Sequence, residues 1–356
     1  MRSAHGLVIG KFYPPHAGHH LLIRTAAASC ERVSVAVLAA TAESIPLALR
    51  VAWLREEHPG VRVVGAVDDV PVDYGSAAAW DAHVAIMRSV VAEPVTAVFT
   101  SEAYGPELAR RFGAVHVAVD PTRELVPCSG TAARADPAGC WPYLAAPVRA
   151  WFATRVVVVG AESSGTTTLA RALAGHYRAP YVAEYGRERT VDKLATARAY
   201  AALGGRPEPG MDDLDWPEAE FTAIARRQVG WEDAAARSAP HPLVVCDTDA
   251  FATGIWHERY AGGVSPAVTA IAAEVATRSR RRYLLTDHAG VPFHQDGIRD
   301  GEHLRAWMTA RFAADLAAGT APYEIVRGTP EARLRAAVAA VDRWQAAGWQ
   351  LAAPPG

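Results

Sequence analysis

Short runs of β-branched and other apolar residues alternate with Ala-, Leu- and Arg-rich stretches along the chain. In the first half the runs are LVI (7–9), VSVAVL (33–38), VRVV (61–64), TAVF (96–99) and VHVAV (115–119). In the second half they are RVVVVG (155–160), YVAE (181–184), LVVCD (243–247), YLLTD (283–287) and YEIV (323–326). Strands that alternate with helices build parallel sheets covered by helices, so the pattern predicts an α/β fold with two sheets.

The length of 356 residues supports the same division, because one α/β domain usually takes roughly 100–200 residues. The two series of strands meet near residues 150–154, where the helix-like PVRAWFATR leads into a new strand without a flexible linker. We therefore predict domains at 1–152 and 153–356. The segment GGRPEPGMDDLDWPE (204–218) is rich in Gly, Pro and Asp, which favours a mobile loop.

Composition excludes several classes of protein. Hydrophobic residues make up 50% and charged residues 21% of the chain, which is typical of a globular protein. No apolar run reaches the roughly 18 residues of a membrane span, and Lys11 interrupts the only stretch that could resemble a signal peptide. These features predict a cytoplasmic protein without a membrane partner. A net charge of −2 argues against nucleic-acid binding and favours small-molecule partners.

The four cysteines, at positions 30, 128, 140 and 246, are scattered without a C-x-x-C pair. This spacing argues against a zinc site or a disulfide framework, and we expect the cysteines to be small buried apolar residues. The sequence is also compatible with a homo-oligomer.

The first predicted strand runs into Gly10-Lys11-Phe12-Tyr13-Pro14-Pro15-His16-Ala17-Gly18-His19, and an apolar helix follows. Gly18 allows phosphate to approach the helix amino terminus, where backbone amides and the helix dipole favour an anion. Paired histidines at 16 and 19, with a lysine nearby, can stabilise charge on phosphoryl oxygens during nucleotidyl transfer. Surface histidines or an adventitious metal patch are the alternatives.

This unit resembles the nucleotidylyltransferase superfamily, whose signature combines H-x-G-H with a downstream S-S-T-x-x-R-like loop. The second half appears as Ser129-Gly130-Thr131-Ala132-Ala133-Arg134, with glycine in place of the middle serine. The resemblance implies a Rossmann-like domain in which Gly10, Phe12, Gly18, Ser129, Thr131 and Arg134 bind ATP. An ordinary helix cap is the alternative for the downstream segment.

Three longer segments, VPVDYGSAAAWDAH (70–83), FTSEAYGPELARRFGA (99–114) and VDPTRELVPCSGTAARADP (119–137), carry a closer resemblance. They resemble the NadR-type bifunctional nicotinamide mononucleotide adenylyltransferase/ribosylnicotinamide kinases, and the similarity covers nearly the whole chain. The resemblance implies that Asp73, Tyr74 and Trp80 bind the mononucleotide, with an aromatic face on the cationic pyridinium. For Trp80 the alternative is a core tryptophan.

The second domain opens with Gly160-Ala161-Glu162-Ser163-Ser164-Gly165-Thr166-Thr167-Thr168, between a predicted strand and a predicted helix. That setting predicts a P-loop, whose backbone amides hold the phosphates of ATP. The usual lysine position holds Thr166, whereas Thr167 stands where a hydroxyl binds Mg²⁺. The missing charge must come from elsewhere, or kinase activity is reduced.

Other parts of a small-molecule kinase follow. Asp247 ends an apolar strand, a position suited to holding Mg²⁺. The E-Y-G-R segment from Glu184 also occurs in the NadR type and implies a riboside site with Glu184, Tyr185 and Arg187. Glu184 is the preferred general base and Asp249 the second choice, and a helix cap or a surface ion pair is the alternative for both.

The segment HAGVPFHQDGIRDGEHLRAWM (288–308) is expected to be a lid that excludes water. Arg299 is the candidate for the charge missing at Thr166. A second arginine of this segment, Arg305, is considered too, with a solvated helix face as its alternative. Only Lys11 and Lys193 are lysines among the 36 basic residues, so arginine is the cation that this chain has to offer.

The favoured function is therefore a two-step NAD salvage enzyme. Its second domain phosphorylates nicotinamide riboside, and its first joins nicotinamide mononucleotide to AMP from ATP, giving NAD and pyrophosphate. Both steps use Mg²⁺ and ATP. One alternative keeps only the adenylyltransferase active, with the second domain as a nucleotide sensor; the other is an NAD-responsive regulator.

Overall fold

In the computed structural model, which describes residues 2–354, the chain divides into two compact units. The first unit reaches Val148 and also includes the chain from Gly348 onwards, and the second unit runs from Arg149 to Ala347. The domain boundary predicted between residues 152 and 153 lies slightly further along the chain. The carboxy-terminal segment, predicted to belong to the second domain, instead contacts the first: the Tyr13 hydroxyl donates to the Ala352 carbonyl at 2.8 Å.

The first unit contains a five-stranded parallel sheet in the order β3-β2-β1-β4-β5. Its strands are β1 (Ser3–Gly10), β2 (Cys30–Ala39), β3 (Arg62–Val67), β4 (Ala97–Thr100) and β5 (Val115–Ala118). Its helices are α1 (Ala17–Ser29), α2 (Leu47–Glu57), α3 (Ala77–Val90), α4 (Gly105–Phe112) and α5 (Gly130–Ala135), and α6 (Ala146–Phe152) lies across the division. The order reverses direction at β1, so the ends of β1 and β4 open a crevice in which ligands of such sheets bind.

The second unit contains another parallel sheet, in the order β10-β9-β6-β8-β7. Its strands are β6 (Thr154–Gly160), β7 (Tyr181–Val182), β8 (Leu243–Asp247), β9 (Arg280–Thr286) and β10 (Tyr323–Val326). Its helices are α7 (Thr166–Tyr177), α8 (Tyr185–Leu203), α9 (Glu218–Ser238), α10 (Ala250–Ala261), α11 (Pro266–Arg278), α12 (Arg305–Ala318) and α13 (Pro330–Ala346). The central strand β6 is entirely buried, which explains its uninterrupted valine run.

Every predicted apolar run coincides with all or part of a strand, and both sheets are parallel, so the predicted α/β fold is confirmed. The segment 204–218 lies between α8 and α9 and contains a short 3₁₀ turn at Met211–Asp213. All four cysteines are free and buried, as expected. Within residues 2–354, no helix has both the length and the apolar character needed to cross a membrane.

Candidate active sites

The loop between β1 and α1 brings two histidine rings together. His16 is the N-cap of α1, and its Nδ1 accepts a hydrogen bond from the backbone N–H of Gly18 at 3.2 Å. The Nδ1 of His19 accepts from the backbone N–H of His16 at 3.3 Å, and the two ring centroids lie 3.8 Å apart. A backbone N–H can only donate, so each Nδ1 is unprotonated, and each neutral ring carries its proton on Nε2.

Burial keeps these rings uncharged. It lowers the pKa of His16 to about 4, with a smaller contribution from the charge of Arg123. The pKa of His19 is also held well below its usual value, first by burial and then by His16. The site therefore offers two neutral Nε2–H donors near pH 7. His20 points elsewhere, because its Nδ1 lies 2.8 Å from Nε2 of His58.

A buried ion pair supports the same loop. Glu43 and Arg50 are both buried and joined at 2.6 Å, and Lys11 Nζ lies 3.5 Å from the other Glu43 oxygen. Arg50 also donates to the Lys11 carbonyl at 3.0 Å and lies 4.5 Å from the centre of the Tyr13 ring. This arrangement fixes the backbone around Lys11 while its ammonium group stays partly exposed. Sequence reasoning missed Glu43 and Arg50, because nothing local marks them.

The downstream motif folds back onto the loop. Ser129 caps α5 by accepting from Ala132 N–H at 3.1 Å, so it acts as a helix cap here. Arg134 donates to the Tyr13 carbonyl at 2.7 Å and to the Thr131 hydroxyl at 3.1 Å. A Cβ on Gly130 would lie 3.2 Å from the Tyr13 carbonyl oxygen, tighter than ordinary contact. Glycine at 130 therefore permits a close approach that a side chain at this position would hinder.

Two adjoining cavities meet at this loop. The first is lined by His16 and Gly18, and the second by Phe12, Ser129, Thr131 and Arg134. Gly10, Lys11 and His19 line both. The predicted mononucleotide residues also line the second cavity: Asp73, Tyr74 and Trp80. Trp80 is only 7% exposed and packs in the core as well, with its Nε1 donating to the Tyr74 carbonyl at 3.2 Å.

The P-loop in the second unit has the backbone geometry of an anion site. Gly165 is the N-cap of α7 with a left-handed φ of +90°, and because it has no side chain it makes no cap hydrogen bond to the amides of the first turn. Ser163 also adopts a positive φ, +55°, a costly conformation for a residue other than glycine. The exposed amides and the helix dipole together favour bound phosphate.

Three arginines surround this loop. Arg333 is buried and donates to the carbonyls of Ser164, Asp287 and Gly328, while Arg305 donates to those of Ser163, His288 and Val291. Both guanidinium groups thus donate their hydrogen bonds to backbone carbonyls. Arg299 also donates to a backbone carbonyl, that of His294 at 2.6 Å, and its Nε lies 3.3 Å from Asp296. It differs in lining both cavities beside the P-loop, and its Nη1 lies 3.4 Å from the Ser163 hydroxyl. It is the arginine best placed to reach bound phosphate.

Carboxylates converge on the other side of the loop. Asp247 accepts from the Tyr181 hydroxyl at 3.0 Å and also hydrogen-bonds the hydroxyls of Thr166 and Thr167. Burial raises the pKa of Asp247, and these hydrogen bonds partly oppose the shift. Burial raises the pKa of Glu184 to about 8, and the nearby Asp247 charge adds to the effect. A carboxyl group with such a pKa can exchange a proton near neutral pH.

Not every predicted kinase residue faces the cavities. Asp249 is buried with both oxygens engaged: one caps α10 through Ala252 N–H, and the other accepts from Arg281 and Tyr283. It therefore lies in a structural network, as its helix-cap alternative described. Tyr185 packs edge-on against Trp231 and lines neither cavity.

The other predicted residues do line the cavities beside the P-loop. The set comprises Gly160, Glu162, Ser163, Ser164, Gly165, Thr166, Thr167, Thr168, Glu184, Arg187, Asp247 and Arg299. Glu162 also accepts from the backbone N–H of Gly301, in the predicted lid segment, at 2.8 Å.

An aromatic wall that the sequence did not reveal completes the cavity that contains Glu184 and Asp247. Trp216, Phe221, Trp256 and Tyr260 line the same cavity as Glu184 and Asp247. The rings of Trp256 and Tyr260 are nearly parallel, at an interplanar angle of 19° and a centroid distance of 6.4 Å. Their sequence signal was weak, because they come from a loop and two separate helices. Aromatic faces of this kind suit a flat or cationic ring.

Comparison with known proteins assigns the second half of the chain. A family model described as AAA domain matches residues 155–333, just over half of the chain. The chain belongs to this AAA domain family. The matched region contains the P-loop, Glu184, Asp247 and Arg299.

Longer similarities connect the chain with NadR. Two curated relatives, from Salmonella typhimurium and Escherichia coli, are both named trifunctional NAD biosynthesis/regulator protein NadR. Each is 25% identical over 315 residues, which covers 83% of this chain and 71% of the relative. The chain is therefore a NadR homologue, as the sequence motifs predicted.

Two solved structures share the fold over almost the full length. One is of NadR protein in complex with NR, and the other of NadR protein in complex with NAD and AMP-PNP. Both have a TM-score of 0.67 and 21% identity, covering 99% of this chain and 98% of the other. The predicted order of a Rossmann-like domain and a P-loop domain thus agrees with a known two-domain architecture.

Proposed function

We propose that the chain is a bifunctional enzyme of NAD synthesis. Its first unit transfers the adenylyl group of ATP to nicotinamide mononucleotide, and its second unit phosphorylates nicotinamide riboside. The observation that carries this proposal is the presence, in one NadR homologue, of a paired-histidine loop and a P-loop with buried carboxylates, each at the end of its own parallel sheet. The relatives solved with NR, and with NAD and AMP-PNP, support the same ligands here.

Adenylyl transfer needs positioning and charge stabilisation rather than a covalent intermediate. A phosphate oxygen of the mononucleotide attacks the α-phosphorus of ATP, and pyrophosphate leaves. The Nε2–H groups of His16 and His19 donate to phosphate oxygens as charge develops on them, with Lys11 and Arg134 beside them. The second cavity, with Tyr74 and Trp80, takes the nicotinamide ring.

Phosphoryl transfer in the second unit uses Glu184 as the general base. Its carboxylate accepts the proton of the riboside 5′-hydroxyl, whose oxygen attacks the γ-phosphorus, and ADP leaves. The P-loop amides hold the phosphates, and Arg299 supplies positive charge in place of the missing lysine. The aromatic wall holds the cationic pyridinium through its ring faces.

The residues present fit a magnesium ion. Asp247 is a buried carboxylate beside the Thr167 hydroxyl, and both are the hard oxygen ligands that Mg²⁺ prefers. When bound with ATP, the ion neutralises phosphate charge. Asp247 and Thr167 are the residues that would hold it.

A second candidate function follows from Thr166. With a neutral residue at the lysine position, the second unit would bind nucleotide without transferring phosphate, and only the adenylyltransferase would be active. Loss of one positioned charge typically costs about 3–4 kcal/mol of transition-state stabilisation, enough to silence a slow kinase. Arg299 beside Ser163 is the feature that favours an active kinase.

Separate assays of the two half-reactions test the proposal. The chain with ATP, Mg²⁺ and nicotinamide mononucleotide should release pyrophosphate and form NAD. With nicotinamide riboside instead, mass spectrometry should detect ADP together with the mononucleotide and the NAD formed from it. Pyrophosphate release without any phosphorylation of the riboside would favour the sensor, and the absence of both reactions would refute the enzyme.

A further inference from the structure

Within residues 2–354, two buried N–H donors from residues that line the cavity containing Glu184 have no hydrogen-bond partner in the protein. They are the side-chain amide nitrogen of Gln228 and Nε1 of Trp216, and both residues line the cavity that contains Glu184. Gln228 is only 1% exposed. An unsatisfied buried donor costs about 1–3 kcal/mol, so these two donors in the cavity lining are candidates to bind the acceptors of a ligand.

The orientation of the Gln228 amide is fixed. Its Oε1 accepts from the backbone N–H of Tyr185 at 3.0 Å. Because a backbone N–H can only donate, the oxygen has to face Tyr185, and the NH₂ group is left for another acceptor. Trp216 likewise has a single N–H and can only donate.

Gln228 lies at the sugar end of the cavity. Phe221, Ile224 and Gln228 line the cavity from one face of α9, and the first and last are about 10 Å apart along the helix axis. Phe221 belongs to the aromatic wall, where we place the pyridinium. Gln228 is bound to Tyr185, the residue next to Glu184, where we place the 5′-hydroxyl. The acceptors nearest this end of a nucleoside are its ribose hydroxyl oxygens.

We propose that Gln228 is a specificity-determining residue of the kinase, and that its NH₂ group donates to a 2′- or 3′-hydroxyl oxygen of the riboside. The substrate class is then a ribonucleoside with a flat cationic base, and a deoxyribonucleoside is rejected because the buried donor stays unpaired. This inference rests on the proposed riboside kinase activity.

Calorimetric binding tests it, using nicotinamide riboside and its 2′-deoxy and 3′-deoxy analogues on the full chain. The wild type should bind the riboside about tenfold to a hundredfold more tightly than one deoxy analogue, as expected for loss of a buried partner. Gln228→Met should bind the riboside more weakly than the wild type does, by the same factor. Its affinity for that deoxy analogue should equal the wild type's. A merely structural role would weaken all three ligands alike. The exposed Gln345→Met is the matched control and should behave as the wild type.

The possible outcomes test the kinase assignment and the role of Gln228 separately. If the wild type binds no nicotinamide riboside, the kinase assignment fails. If it binds the riboside but does not discriminate against either analogue, or if Gln228→Met keeps the discrimination, the role of Gln228 is refuted. Should Gln228→Met not fold, Gln228→Ala leaves space for water on the Tyr185 N–H and is judged by the same comparison.

Discussion

At the scale of single residues, the proposed adenylyl transfer depends on the neutral state of His16 and His19. His16→Ala and His19→Ala should each lower the rate of NAD formation from the mononucleotide by about a hundredfold to a thousandfold, because each removes one positioned donor. Steady-state kinetics with thermal melting measures this. His20→Gln is the matched control, since His20 bonds His58 away from the cavity, and it should keep most of the activity. Near-wild-type rates in either alanine variant would contradict the assignment.

The pKa values of Glu184 and His16 predict different pH profiles for the two activities. Glu184 has a pKa raised to about 8, so it is mostly protonated below that pH and gains its base form above it. The kcat/KM for riboside phosphorylation should therefore rise about tenfold per pH unit below pH 8 and then level off. His16, with its pKa lowered to about 4, is neutral throughout this range, so adenylyl transfer should change little between pH 6 and 8.

One variant completes that test. Glu184→Gln should remove riboside phosphorylation at every pH while sparing adenylyl transfer. A riboside phosphorylation profile that stays flat from pH 6 to 9 in the wild type would show that Glu184 is not the base.

The sequence predicted the residues of continuous motifs better than those assembled from distant segments. The histidines, the P-loop and Asp247 adjoin strands, and their spacing alone carries the signal. Gln228 and Trp256 sit on helices among residues of ordinary type, and only the packing of those helices brings them into the cavity. Asp249 shows that a motif position can also mislead. A carboxylate after a strand can cap the next helix instead of facing a substrate, and Asp249 caps α10.

At the scale of elements, we propose that the segment between β9 and α12 supplies the charge that the P-loop lacks. Arg299→Ala should lower riboside phosphorylation by about a hundredfold or more and leave adenylyl transfer unchanged, because a transferring phosphoryl group needs positive charge near its oxygens. Thr166→Lys should partly restore activity to Arg299→Ala by returning the lysine to its usual position. Separate assays of riboside phosphorylation and adenylyl transfer measure the two effects.

The control for this prediction is Arg343→Ala, which removes an exposed arginine that pairs with Glu324 on the same unit. It should leave both activities intact. Full riboside phosphorylation in Arg299→Ala would keep the kinase but exclude Arg299 as its compensating charge.

The strands were predictable because burial on both faces leaves a strong apolar signal, as in β6 and β8. The order of the strands was not predicted, since it depends on crossovers that no local pattern records. The sequence also did not predict that the carboxy-terminal segment contacts the first unit. Ala352 accepts from Tyr13 and donates to the Ser44 hydroxyl at 2.8 Å, contacts that AAPPG does not suggest.

At the scale of the whole molecule, we propose that two complete active sites occupy the two structural units of one chain. Each unit has its own parallel sheet and its own phosphate-binding loop. Variants in one unit should therefore silence one step and leave the other. This independence distinguishes a two-step enzyme from an adenylyltransferase with a sensor domain.

The most direct test is a one-pot incubation of the chain with ATP, Mg²⁺ and nicotinamide riboside, followed by chromatographic separation of mononucleotide and NAD. The wild type should form NAD, His19→Ala should accumulate mononucleotide, and Glu184→Gln should form neither unless mononucleotide is supplied. A mixture of the two variants should form NAD again. NAD formation by Glu184→Gln alone from the riboside, or no mononucleotide from His19→Ala while the wild type makes NAD, would contradict the account.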